Sequence, residues 1–88
     1  MALTLTKRVT TTWDGPTPSD PTYVTARDDL VARMISENKT DGLWTGNDDG
    51  SVGSRCFIAQ ASAEEFLTAI IAANGANRNL LSSEITDI

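Results

Sequence analysis

Apolar and polar residues alternate along residues 2–13, which are also rich in threonine. An alternation with a period of two residues, in a segment of β-branched side chains, is typical of a half-buried β-strand. One face of this strand is predicted to carry Leu3, Leu5, Val9 and Trp13. The other face carries Thr4, Thr6, Arg8, Thr10 and Thr12, so it is rich in hydroxyl groups.

The helical period first appears after residues 14–21, where three prolines and one glycine predict a connection. Two starts of the helix stay open: Asp20 as N-cap with Pro21 in the first turn, or Thr25 as N-cap with Asp28 three residues later. The helix is expected to end before Gly42. Its predicted apolar stripe, which includes one arginine, consists of Tyr23, Val24, Arg27, Leu30, Val31, Met34 and Ile35.

A β-hairpin is predicted next, with a short strand at residues 43–45 and a second strand at residues 51–60. The turn contains Asn47, Asp48, Asp49 and Gly50, and Gly50 is expected to adopt a positive φ. The same residues invite comparison with a calcium-binding EF loop. That loop would begin at Thr45 and would lack its bidentate glutamate, so no metal site is predicted.

The second helix is predicted to begin at Ser62, because Ser62 and Glu65 have the spacing of a capping box. Asn74 and Gly75 are expected to end it. Its predicted buried stripe is Phe66, Leu67, Ile70, Ile71 and Ala73. Residues 77–88 read as a last strand with Leu81, Ser83 and Ile85 on one face and Leu80, Ser82, Glu84 and Thr86 on the other.

The element order β-α-β-β-α-β predicts an α+β fold of the ferredoxin-like type. Its four-stranded antiparallel sheet would carry both helices on one face. In element order and size, the chain resembles the dimeric α+β barrel superfamily, in which two ferredoxin-like protomers pack sheet against sheet. In general character it is also similar to short proteins encoded in marine environmental sequences, which implies no function.

Length and charge narrow the classes of partner. Eighty-eight residues predict a single domain over residues 1–88 with a modest core. A net charge of −5 disfavours nucleic acid and anionic membranes as partners. No apolar run is long enough to cross a bilayer, and the first four residues do not resemble a signal peptide, so a soluble cytoplasmic protein is expected.

The chain contains few of the residues that familiar catalytic mechanisms require. The sequence contains no histidine, which excludes the usual general base, zinc ligand and histidine-based triads. Cys56, the single cysteine, lies within a predicted strand beside Phe57 and Ile58, where a thiol normally packs, and only Arg55 is close in sequence to supply charge. An RNA-recognition module would need more aromatic and basic residues than Arg55 and Phe57 on its third strand. No catalytic residue, cofactor or metal is predicted, and these residues favour a non-enzymatic protein over an enzyme without deciding between them.

The third strand favours a homodimer. It places Cys56 and Ile58 on one face and Phe57 and Ala59 on the other, so something apolar is expected to cover both faces. The small core of so short a chain also favours a partner subunit.

The resemblance also implies where a ligand would bind, because members of the superfamily hold ligands between helices and sheet or near the dimer contact. The implied site residues are Trp13, Trp44, Arg55 and Phe57, an aromatic and cationic set suited to a small aromatic or anionic ligand. The alternative is that the tryptophans only anchor packing. Two functions therefore remain open: a non-enzymatic homodimeric assembly or protein-interaction module, and a small-molecule-binding or cofactor-free oxygenase-like protein.

Overall fold

The computed structural model describes residues 3–88, which form one four-stranded sheet and two helices. The elements are β1 (Lys7–Trp13), α1 (Pro21–Ser36), β2 (Thr45–Gly46), β3 (Val52–Phe57), α2 (Gln60–Asn74) and β4 (Leu80–Asp87). The strand order is β2-β3-β1-β4, and every neighbouring pair is antiparallel. The chain therefore has the ferredoxin-like α+β arrangement that its element order predicts.

β1 is shorter than predicted. It begins at Lys7, which pairs with Phe57 of β3 on one side and Asp87 of β4 on the other. Both neighbouring strands end level with Lys7, because β3 ends at Phe57 and β4 ends at Asp87. Residues 3–5 therefore have no neighbouring strand to pair with in the described part of the chain, and the predicted strand start at Ala2 lies outside the described residues.

The first of the two predicted starts of α1 is correct. Asp20 is the N-cap, and its carboxylate accepts a hydrogen bond of 2.9 Å from the Thr22 amide, while Pro21 occupies the first helical position. Leu30 and Met34 of the predicted stripe are buried, whereas Ile35 at its edge is exposed. The helix ends at Ser36, before Gly42 as expected.

The predicted capping box of α2 is wrong. The helix begins at Gln60 with Ala59 as N-cap, and no side chain caps it. Ser62 therefore lies inside the first turn and is buried. Because the helix begins at Gln60, Glu65 is its sixth residue and lies beyond the capping position, and its carboxylate accepts hydrogen bonds from Lys39 and Arg33. Gly75 follows α2 with a φ of 53°, as predicted for its C-terminus.

The predicted hairpin is confirmed, although both strands are displaced. β2 lies at Thr45–Gly46 and not at residues 43–45, and β3 ends at Phe57 because α2 begins three residues later. Gly46 pairs with Gly53. Gly50 in the turn has a φ of 72°, the left-handed conformation predicted for it.

β4 contains an irregularity that changes which leucine is buried. Ser83 and Ile85 pair with Thr11 and Val9 as one face, but the register shifts where Trp13 pairs with Leu80. Leu80 consequently packs against the core, and Leu81 is 64% exposed. The predicted grouping of Leu81 with Ser83 and Ile85 is therefore wrong.

The core lies between the helices and one face of the sheet. Phe57 is fully buried there, and its ring centroid lies 5.0 Å from that of Phe66 on α2. The face of β3 that carries Phe57 is thus covered by the chain's own helices. Cys56 points to the opposite face, as the register with Arg8 shows, and it is partly exposed. That second face bears threonine and serine side chains and has no helix over it among residues 3–88.

Candidate functional site

A cavity of about 360 Å³ lies between the helices, the helix-facing side of the sheet and the β2–β3 hairpin. Its volume is near the lower end of the range typical of small-molecule sites. Its walls combine core side chains such as Phe66 and Ile70 with residues of the hairpin turn, including Asn47 and Asp48. The cavity is therefore continuous with the core at one side and open at the hairpin.

Three arginines line this cavity, and each lies over an aromatic ring that also lines it. The distances from guanidinium carbon to ring centroid are 5.7 Å for Arg27 and Tyr23, 5.5 Å for Arg55 and Trp44, and 4.7 Å for Arg78 and Trp13. Such pairs stabilise each cation over the negative face of a ring. In a chain with a net charge of −5, this concentration of positive charge is local to the cavity.

Arg55 is the least compensated of these cations. Its Nη1 donates a hydrogen bond of 2.6 Å to the Gly42 carbonyl oxygen, and no ion pair involves it within residues 3–88. Burial lowers the pKa of the Arg55 guanidinium from its ordinary value, and the positive charge of Arg27 lowers it further. Arg55 is partly buried, and a partly buried cation with a neutral partner is the kind of group that an anionic ligand would stabilise.

Arg27 and Arg78 differ in their partners. Arg27 forms an ion pair of 3.0 Å with Asp28, its neighbour on α1. Arg78 has neutral partners: its Nη1 donates to the carbonyl oxygens of Gly50 and Gly15 at 3.1 and 3.4 Å. Of the described residues that line the cavity, Asp48 alone carries a carboxylate. The lining therefore has an excess of positive charge.

Two glycines place the Trp44 ring in the cavity wall. A β-carbon at Gly53 or Gly46 would overlap the Trp44 indole, so this cross-strand pair leaves the ring the room it needs. Trp44 is 47% exposed, and it is one of the residues that line the cavity. The Trp44 ring packs against the two glycines and the Arg55 guanidinium, and it remains accessible to solvent.

Thr40 fixes the carbonyl that Arg55 binds. The Thr40 hydroxyl, 1% exposed, donates to the Cys56 carbonyl oxygen at 2.7 Å and accepts from the Gly42 amide at 3.1 Å. The segment after α1 is thereby anchored to β3, and the Gly42 carbonyl lies within reach of Arg55. Thr40 is thus a positioning residue for the cationic side of the cavity.

Trp13 forms the opposite end of the wall and is a structural residue as well. It is 5% exposed, and its Nε1 donates a hydrogen bond of 2.9 Å to the Thr11 hydroxyl. The indole nitrogen is therefore satisfied inside the chain, and the ring presents its face to Arg78.

Three of the four residues expected to form a ligand site lie together. Trp13, Trp44 and Arg55 all line the cavity, whereas Phe57 lies in the core and does not line it. The sequence reasoning missed Tyr23, Arg27 and Arg78 as lining residues. Arg27 carried a signal, because a cation in the apolar stripe of a helix indicates a polar environment beneath that stripe. Arg78, in the connection after α2, carried none.

The acidic hairpin turn is stabilised by its own side chains. One oxygen of Asp49 accepts hydrogen bonds from the Ser51 amide and hydroxyl at 2.9 and 2.7 Å, and these bonds hold the Asp49 pKa below its usual value. The Asn47 side-chain oxygen accepts from the Val52 amide at 2.9 Å. Within residues 3–88 no cluster of three or more acidic or cysteine side chains has an arrangement that would hold a metal ion.

Comparison with known proteins found no matching family model, curated protein or solved structure. Within the described part of the chain, no helix combines the length and apolar character needed to cross a bilayer.

Proposed function

We propose that this protein binds a small organic anion with an aromatic body in the cavity beneath Trp44. The observation that carries the proposal is the Arg55 guanidinium, which is partly buried in the cavity wall and has no ion-pair partner in residues 3–88. An anion in the cavity would supply the missing counter-charge, and the surrounding rings would contact a planar apolar body.

The proposal is one of binding and not of catalysis. The chain contains no histidine, and the polar groups of the cavity are arginines, threonines and turn residues that already serve local hydrogen bonds. Arginine is protonated at any working pH, so it serves as a fixed charge and not as a proton carrier. The cavity is suited to holding an anion in a defined orientation.

Titration with benzoate, followed by tryptophan fluorescence, tests the proposal directly. Both tryptophans of the chain line the cavity, so a ligand there should change the emission. A fragment of this size is expected to bind with a dissociation constant on the order of a millimolar. Benzamide, the neutral analogue of the same shape, should bind more weakly by roughly tenfold or more.

Two arginine variants localise the effect. Arg55→Met should abolish saturable benzoate binding, while Arg8→Met should leave it unchanged. Arg8 provides a matched control, because it lies on β1 but on the sheet face opposite the cavity, and its removal changes the net charge equally. Absence of a saturable response to benzoate in the unaltered protein, or equal loss in both variants, would contradict the proposal.

We also propose that the uncovered face of the sheet forms a homodimer, as in the dimeric α+β barrel superfamily that the element order resembles. In support, this face has no covering element among residues 3–88, although it includes the partly buried Thr10, Ser54 and Cys56. Sedimentation at micromolar concentration should show a dimer. Thr10→Arg, which places a charge at the centre of that face, should give a folded monomer. A folded monomer without the substitution would contradict this second proposal.

A further inference from the structure

The cavity has two separate cationic ends. Arg55 lies opposite Val9 in the β1–β3 register, whereas Arg78 stacks on Trp13, four residues farther along β1. Four residues of a strand extend about 13 Å. The two guanidinium groups are thus anchored at different ends of the cavity, although each side chain reaches inward from its anchor.

The electrostatic surroundings of the two arginines agree with this separation. Arg27 is the cation close enough to lower the pKa of Arg55. Arg78 acts instead on Asp49 in the hairpin turn, whose pKa it helps to lower. One end of the cavity therefore holds Arg55 with Arg27, and the other end holds Arg78.

Each end has one cation that lacks a carboxylate partner. Arg27 is paired with Asp28, but neither Arg55 nor Arg78 forms an ion pair within residues 3–88. A ligand with a single charge would compensate one end and leave the other as it is. A ligand with a negative group at each end would compensate both.

The space between the two ends favours a rigid, flat body. Trp13 and Trp44 line the cavity with Tyr23 and Phe66, so four aromatic rings surround the volume of about 360 Å³. A flexible ligand that reached from one end of the cavity to the other would lose conformational freedom on binding, whereas a rigid aromatic ligand would lose little. The positions of the two charges and the aromatic walls therefore both favour a rigid, flat ligand.

We propose that the ligand is a small aromatic dianion whose two anionic groups lie at opposite ends of the molecule. This inference rests on the proposed function, since it specifies the ligand of the same cavity. It assigns Arg55 to one anionic group and Arg78 to the other, with the rings of Trp13 and Trp44 against the body between them.

Two matched pairs of probes test the inference. Terephthalate is compared with benzoate, and biphenyl-4,4′-dicarboxylate with biphenyl-4-carboxylate, so that two lengths are covered. In at least one pair the diacid should bind about tenfold more tightly than its monoacid, the expected effect of one further charge-assisted contact. Phenyl phosphate, which carries both charges at one end, should not show the advantage of the better diacid.

Substitutions of the two arginines test which residue binds each anionic group of the ligand. Arg78→Met should remove the diacid advantage, so that the better diacid and its monoacid bind this variant with equal affinity, and Arg55→Met should weaken the binding of both. Because Arg78 also bonds to two loops, Arg78→Lys retains the charge in a second variant and should retain most of the diacid advantage. Arg8→Met should change neither affinity, and circular dichroism should confirm that each variant is folded.

The outcomes separate this inference from the proposed function. If monoacids bind but neither diacid binds more tightly, or if phenyl phosphate equals the better diacid, the inference is wrong and anion binding stands. If the diacid advantage survives Arg78→Met, the assignment of the second end is wrong. If no probe binds, the proposed function itself fails.

Discussion

The indole ring of Trp44 occupies the space that a β-carbon on Gly53 would need. Neither Gly53 nor its partner Gly46 has a positive φ, so space and not backbone conformation requires glycine at both positions. The glycine pair is therefore a determinant of the cavity wall and of the position of Arg55 over the ring.

Gly53→Ala should displace the Trp44 ring from the cavity wall. Because the ring is already 47% exposed, it should swing outward, and we expect a loss of stability of about 1 kcal/mol, the low end for overpacking. Fluorescence should shift towards longer wavelength, and benzoate should bind more weakly. Trp44→Ala combined with Gly53→Ala provides the control. If the overlap is the cause, the alanine at position 53 should cost little stability in that background.

Gly50→Ala should destabilise the protein more than Gly15→Ala. Both glycines have a positive φ, 72° and 87°, so either alanine should cost about 1–2 kcal/mol in backbone conformation. An added β-carbon at Gly15 meets nothing within 4 Å, whereas at Gly50 it would overlap the Thr17 side chain. Chemical denaturation of the two variants should therefore differ by roughly a further 1 kcal/mol. Equal losses would show that the turn does not pack against Thr17.

Asp20→Ala should lower the free energy of unfolding by about 1 kcal/mol, because the Thr22 amide would lose its capping carboxylate. Thr25→Ala, at the other predicted start, should be neutral or slightly stabilising. Thr25 is an exposed residue inside α1, where alanine is the better helix former. Urea denaturation measures both, and a larger loss for Thr25→Ala would contradict the observed helix start.

Stability should decrease in acid through Glu65. Hydrogen bonds from Lys39 and then from Arg33, at 2.8 and 2.9 Å, hold the pKa of Glu65 below its usual value. Since the native pKa is below that of the unfolded chain, the carboxylate contributes stability above about pH 5, and this contribution is lost as the pH falls through the native pKa.

Glu65→Gln should accordingly flatten the dependence of the unfolding free energy on pH between about pH 5 and pH 3. Glu64→Gln removes the same charge one residue away, and within residues 3–88 Glu64 bonds to the Gln60 side chain and to no cation, so this variant should leave that dependence nearly unchanged. Identical pH profiles for the two variants would show that the contacts with Lys39 and Arg33 have no net effect.

Local patterns predicted the fold well where one period dominated. Nearby residues specify three of the elements. Alternation indicates the strand with Val9 and Trp13, the helical period indicates the helix with Leu30 and Met34, and Gly50 indicates the hairpin turn. The errors arose where a distant partner decides the local structure. Glu65 has the spacing of a capping residue, yet it pairs with Arg33 of α1 and with Lys39 in the connection after α1.

The candidate site was only partly predictable for the same reason. Residue type and the likeness in element order grouped Trp13, Trp44 and Arg55, which do line one cavity. Phe57, on the same strand as Arg55, lies in the core instead. Arg55 and Phe57 are two positions apart on β3 and share its helix-facing side, so the alternation does not separate them. Phe57 is buried because Phe66 of α2 packs against it, which the local pattern does not show. Arg78 enters the cavity through the path of a connection, which has no period from which its direction could be inferred.

Arg78, in the connection after α2, also joins this connection to two others that are far apart in sequence, because it donates to the carbonyl oxygens of Gly15 and Gly50. It donates as well to the side chain of Asn74 at the end of α2. Local opening at any one of these places must break bonds shared with the others. We therefore expect backbone amides near all three to exchange with deuterium as one cooperative unit. A ligand held by Arg78 would then slow exchange in segments that it does not touch, which makes the effect of binding on the native ensemble wider than the cavity itself.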